Sequence, residues 1–293
     1  MTFSKRLLDT QPLLSLTLGA ALLFASPLSI AQEADCPTAA EPADLQMAFP
    51  HQIELAEYNA QTGSTLAFSE RPEFAEQVAA GTLPSVEQRL PEEPLVLLPY
   101  VNCGKYGGTL RGFARAYESG TSEILSWRQL NMVRYSEDMV TVVPNVAKSW
   151  KWNEDYTEIT FDLRKGHKWS DGKAFTADDV AFWANDIINN KEIHKETPFP
   201  WSIGMKAEKI DETTVKLIFD KPYPALLEYF SGIGSYFTPY ANMQFLSPMH
   251  IKYNPEADNE AKAAGYDDWV ARFGVYFNKW KDAVVAKPEG IKV

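Results

Sequence analysis

The sequence predicts an α/β fold, mixed α+β sheets with flanking helices, and three stretches predict it. Ile159, Phe161 and Leu163 alternate with Thr160, Asp162 and Arg164, the period of a strand with one buried face. Val180, Trp183, Ala184, Ile187 and Ile188 then recur at the spacing of an amphipathic helix. Val215, Leu217 and Phe219 return to a period of two. Of the 293 residues, 45% are apolar and 23% charged, a composition that folds into one large domain or two modest ones.

The first residues stand apart from that fold. Lys5 and Arg6 precede an apolar stretch, residues 13–28, that ends near the small residues Ser29 and Ala31. This reads as a secretory signal, residues 1–31, removed after Ala31. The stretch contains Ser15, Thr17, Gly19, Ser26 and Pro27 and is short for a spanning helix, so a membrane anchor is the weaker alternative. The residues before Cys36, "EAD", are not the small and aliphatic ones that precede a lipid-modified cysteine. The mature chain is therefore expected to begin at Gln32 and to be periplasmic.

Removing residues 1–31 takes away Lys5, Arg6 and Asp9, a net loss of one positive charge, so −11 becomes −12. That sign argues against nucleic acid and against anionic membrane surfaces as partners. Two cysteines remain, Cys36 and Cys103. An even count in a secreted chain permits one disulfide, which would tie the N-terminal extension to the start of the main domain; two free thiols are the alternative.

Residues 32–104 are rich in proline and scattered acids, the texture of an extended arm lying on another surface or of a linker. One helical candidate, "RPEFAEQVAAG", places Phe74, Val78 and Ala79 at helix spacing and stops at Gly81. The main domain, residues 105–293, opens at "KYGGTLRGFAR", a strand candidate carrying Leu110 and Phe113. "SEILSWRQLNMV" then puts Ile124, Trp127, Leu130 and Met132 on one helical face, with Thr121 or Ser122 as cap. The loop between them is Tyr117, Glu118, Ser119, Gly120 and Thr121.

"AKSWKWN" and "TEITFDLR" form a hairpin across "EDY". Lys165-Gly166 and Asp171-Gly172 make two turns, and Thr176 caps the following helix with Asp179 three residues on, close to a capping box. Asp171 and Asp178 thereby read as turn and first-turn residues rather than as an acid–base pair. "MKAEKI" and "TTVKLIF" form a second hairpin, and "KPYPALLEYFSG" is a helix between Pro224 and Gly232. "PMHIKYNP" reads as a loop with a short strand. "DDWVARFGVYFNKW" is a last helix with Trp269, Phe273, Phe277 and Trp280 along one stripe.

The run "VPNVAKSWKWNEDYTEITFDLRKGHKWSDGKAFTADDVAFW" resembles the extracellular solute-binding proteins of the peptide and nickel class, family 5, which deliver cargo to ABC importers. Its Ala-x-Ser-Trp, Leu-Arg-x-Gly, Trp-Ser-Asp-Gly and Phe-Thr-Ala-x-Asp-Val segments all match, and His167 stands where an aliphatic residue is usual. "YGGTLR", "KIDETTVKLIFDKPYPALL" and "FLSPMHI" are similar to further segments of that family.

The resemblance implies a noncatalytic binding protein without a cofactor or metal, folded as a type II periplasmic clamshell. It implies a small solute such as a peptide as ligand, permease subunits at the inner membrane as partners, and a monomer when complete. Tyr117, Glu118, Ser119, Gly120 and Thr121 correspond to a loop that faces the cleft in that class. The chain stops at "KPEGIKV", short of the family's length, and lacks the Gly-Thr-Gly-Pro-Tyr that opens the second lobe. It is expected to be an N-terminal portion holding most of a first lobe, weakly stable and unable to grip solute tightly. Submicromolar binding by residues 32–293 in calorimetric titration contradicts that expectation.

Eight tryptophans and paired acids suggest as alternatives a secreted polysaccharide-active hydrolase or a noncatalytic carbohydrate-binding protein. The acids fall in turns and caps, however, and no nucleophile elbow or His-Glu-x-x-His occurs. His51, His167, His194 and His250 show no metal-ligand spacing, and the aromatics sit at core periodicity.

Overall fold

The computed structural model describes residues 52–99, 104–109, 111, 130–136, 138–231 and 239–277. Its first part is the proline-rich arm: β1 (Gln52–Glu54), α1 (Leu55–Thr62), a 3₁₀ turn (Pro72–Phe74), α2 (Ala75–Ala79), α3 (Val86–Arg89) and β2 (Leu95–Leu97). β1 and β2 pair antiparallel, with Ile53 opposite Val96. The expected helix at Phe74 is there in two pieces, and Gly81 follows it in the left-handed region at φ +70°.

After β3 (Val133–Tyr135) and β4 (Val142–Pro144), an antiparallel pair, come β5 (Ala147–Trp152) and β6 (Glu158–Leu163). With β7 (Met205–Lys209) and β8 (Thr214–Phe219) they form a four-stranded antiparallel sheet in the order β5-β6-β8-β7. Register decides its two faces. Phe161 lies between Trp150 and Val215, and Ile159 between Trp152 and Leu217, so these rows make the core face. Ser149, Asp162, Thr160, Lys216 and Glu208 alternate onto the other face, where Lys216 pairs with Glu158 at 3.1 Å. One buried and one wet face is the ordinary state of an antiparallel sheet.

The core face is covered by α4 (Ala177–Phe182), which continues without a break as a π-helical segment, Trp183–Ile188. All five residues of the expected apolar stripe, Val180 to Ile188, are buried. The wider turn was not readable from their spacing. Asn185 in that segment donates to Ala207 O at 2.8 Å and accepts from Ala207 N at 3.0 Å, and Asn189 donates to Met205 O at 2.6 Å. These amides occupy backbone groups of edge strand β7 that would otherwise be open to pairing.

The remaining elements are α5 (Leu226–Ser231), α6 (Met243–Leu246), a 3₁₀ turn (Ser247–Met249), α7 (Ala257–Ala263) and α8 (Trp269–Phe277). Trp201 sits at the centre of the aromatic core, 5.1 Å from Trp183 and 5.5 Å from Tyr229 between ring centroids. The short strand expected within "PMHIKYNP" does not form. His250 is instead buried there, its Nδ1 accepting from Lys252 N at 3.1 Å and its Nε2 facing Asp186 O at 3.0 Å, so the local polar groups close a turn. Trp269 and Phe273 of the expected stripe pack against this imidazole, and Trp280 lies outside the described residues. Among the described residues no helix is long and apolar enough to cross a membrane.

Arg164 corrects the strand reading. Alternation placed it with Thr160 and Asp162 towards water, yet it is 2% exposed because the arm lies over it. Its guanidinium meets Glu54 in a two-pronged pair at 2.6 and 2.7 Å, and its Nε donates to Asn145 O at 2.6 Å. Glu92 N donates to Lys165 O at 3.0 Å beside it.

Candidate functional site at the Trp-Ser-Asp-Gly loop

The family-like segment 165–175 folds back on itself. Trp169 N donates to Lys173 O at 2.8 Å, Gly172 N to Trp169 O at 2.9 Å and Phe175 N to His167 O at 2.9 Å. Gly166 has φ +83°, and a Cβ there would lie 2.5 Å from Glu92 N, so the glycine is required both by its backbone angle and by the arm's approach.

Asp179 holds this loop to the rest of the chain. The expected capping box forms: Thr176 Oγ1 accepts from Asp178 N at 3.3 Å, and Asp179 Oδ2 accepts from Thr176 N at 2.8 Å. The same carboxylate also accepts from Trp169 Nε1 at 3.1 Å and from Met243 N at 2.8 Å. One buried side chain thus ties together the turn, the helix start and the entry to α6. Burial pushes its carboxyl up to about 6, against the pull of these N–H donors. Asp171 and Asp178 have separate structural partners: Asp171 accepts from Lys173 N at 3.0 Å, and Asp178 pairs with Lys209 at 2.6 Å.

Trp169, Phe175 and Tyr240 stand edge to face, with centroids 5.7 Å apart for Trp169 and Phe175 and 5.1 Å for Phe175 and Tyr240. Together with His167, Leu130 and Val146 they wall a cavity of about 140 Å³. The Tyr240 hydroxyl and His167 Nε2 are both buried and without a hydrogen-bond partner. Burial, with the charges of Arg164 and Lys168, holds the His167 imidazole below its ordinary value and so neutral at pH 7. A wider groove of about 480 Å³ runs between the α3 region, at Leu83, Gln88 and Arg89, and the turn at Ser170, Asp171 and Gly172. Arg89 there is already paired with Glu70 at 2.6 Å.

The proposed ligand loop, Tyr117, Glu118, Ser119, Gly120 and Thr121, lies outside the described residues, as do Cys36 and Cys103. So do residues 1–31, Leu110, Phe113 and most of the helix expected at 122–132; Met132, at its end, is buried in a bend before β3. Sequence reasoning missed Tyr240 as a wall of the cavity. His167 left a faint signal, as the polar residue in an otherwise aliphatic motif position.

Residues 141–272, which take in the four-stranded sheet and its covering helices, match the family described as bacterial extracellular solute-binding proteins, family 5 Middle. This stretch belongs to family 5. The chain is 31% identical over 208 residues to the periplasmic alpha-galactoside-binding protein of Rhizobium meliloti (strain 1021), a match over 63% of this chain and 30% of that protein. Among solved structures it is similar to the oligopeptide-binding protein OppA, with TM-score 0.67 and 34% identity over 78% of this chain and 36% of that one. It is also similar to the periplasmic binding protein MelB of Agrobacterium fabrum C58 in complex with stachyose, with TM-score 0.53 and 28% identity over 75% of this chain and 36% of that one. The chain therefore spans about a third of the length of these family 5 relatives. The resemblance read from the Trp-Ser-Asp-Gly run and the mixed α/β fold both hold.

Proposed function

We infer that this chain serves as the solute-capturing component of an ABC importer, acting in the periplasm after removal of residues 1–31 and handing its cargo to permease subunits in the inner membrane. The observation that carries this reading is the family 5 match across residues 141–272, supported by the fold likeness to OppA. Solute-binding proteins of this family are noncatalytic transporter components, and the chain is read as one. The cargo is read as an oligopeptide or an oligosaccharide, two of the classes named for its relatives. The loop at Tyr117, Glu118, Ser119, Gly120 and Thr121 is proposed to face that cargo, and Cys36 with Cys103 to close one disulfide.

Deleting the encoding gene in the source organism should abolish uptake of one labelled class, short peptides or α-galactosides such as stachyose, and leave the other intact. Supplying the gene again should restore it. Unchanged uptake of both classes would overturn the reading.

A further inference from the structure

The geometry assigns the cavity beside Trp169 to a small neutral phenol, an assignment that does not rest on the transport reading. Three observations lead there. A cavity of about 140 Å³ is close in size to one that admits a single benzene ring when its walls are apolar. Its walls are Leu130, Val146 and the faces and edges of Trp169, Phe175 and Tyr240, surfaces that favour a flat aromatic occupant.

The third observation sets the polarity. Among the described residues, four buried side-chain polar atoms have no partner: Asn131 Oδ1, His167 Nε2, Trp201 Nε1 and the Tyr240 hydroxyl. Two of the four line this one cavity. A buried polar atom left unpaired is costly, so a hydrocarbon occupant would leave both costs in place. A hydroxyl on the ring both donates and accepts, and it can serve the imidazole nitrogen and the tyrosine hydroxyl in either imidazole tautomer.

A carboxylate or ammonium fits less well. Among the described wall residues the one cation, Lys168, directs its Nζ at the carbonyls of Leu90 and Gly166, each at 3.3 Å, so it is not turned towards an anion in the cavity. The loop around the cavity is held by the Asp179 bonds to Trp169 and Thr176, so the pocket is already shaped before any ligand arrives.

The test titrates the intact 293-residue chain with phenol and with benzene, read by saturation-transfer NMR and calorimetry. Phenol should bind saturably, about tenfold more tightly than benzene, the ratio expected for one paired hydroxyl. Tyr240→Phe should weaken phenol by about the same factor while leaving benzene binding in place, which also shows that the cavity has kept its shape. His167→Leu, at a partly exposed position, should act in the same direction and replaces Tyr240→Phe as the test if that variant fails to fold. The proposal is overturned by non-saturable phenol binding, by equal affinity for phenol and benzene, or by phenol affinity that the folded variants leave unchanged. A cavity that takes up only water gives the first of these results.

Discussion

Glu54→Leu should lower the unfolding free energy by about 3–5 kcal/mol, the loss expected when one partner of a buried ion pair is removed. The asymmetry of the pair makes the carboxylate the more sensitive end. Arg164 is almost fully buried, whereas the Glu54 side chain keeps 31% of its exposure. Removing Glu54 strands a guanidinium whose remaining acceptors, among the described residues, are the carbonyls of Asn145 and Glu93. Arg164→Met instead strands a carboxylate that water can reach, and it should cost less. The double variant should recover much of the loss, because replacing a whole buried pair with apolar side chains is frequently close to neutral. Urea denaturation of the four proteins measures this cycle, and additive losses would refute the account.

Asp179→Ala should remove about 3 kcal/mol, since the indole of Trp169 and the backbone N–H groups of Thr176 and Met243 lose one shared acceptor in a buried place. The deficit should depend on pH in a fixed direction. The carboxyl of the folded chain is pushed from 3.8 up to about 6, so between those values the folded state binds the proton more readily than the unfolded one. The stability contributed through this group is fully present below pH 3.8 and is lost as pH rises through about 6. Alanine does not titrate, so the gap between parent and variant should be wider at pH 4.5 than at pH 8. A gap that widens with rising pH would show that the N–H donors outweigh burial at this carboxyl.

What the chain disclosed in advance was what short-range rules govern. The β5–β6 hairpin, the Thr176 cap, the α4 stripe and the rows of β8 depend on neighbours within a few residues, and all formed as expected. Arg164 was misassigned because its partner, Glu54, is 110 residues away, and alternation along β6 carries no information about an arm laid over its end. Asp179 was legible as a cap but not as the acceptor for Trp169 and Met243, bonds that require the loop and the α6 entry to converge. The π-helical turn was illegible for a related reason: an apolar stripe at helical spacing fits either winding, and the choice is tied to Asn185 and Asn189 reaching β7. The described walls of the cavity come from four separate stretches, and the family-like run supplied Val146, His167, Lys168, Trp169 and Phe175 but neither Leu130 nor Tyr240.

The sequence separation of 110 between Glu54 and Arg164 also orders events in time. The two hairpins of the sheet close over short loops, whereas the arm must wait until its distant partner strand exists, and long closures are late because their entropy is lost before any contact rewards them. An interaction absent from the transition state leaves the folding rate alone and appears in the escape rate. Glu54→Leu should therefore steepen the loss of the native state in stopped-flow unfolding while refolding proceeds at the parent's speed. The arm works as a latch thrown after the door has shut, setting how long the folded chain survives rather than how quickly it is reached.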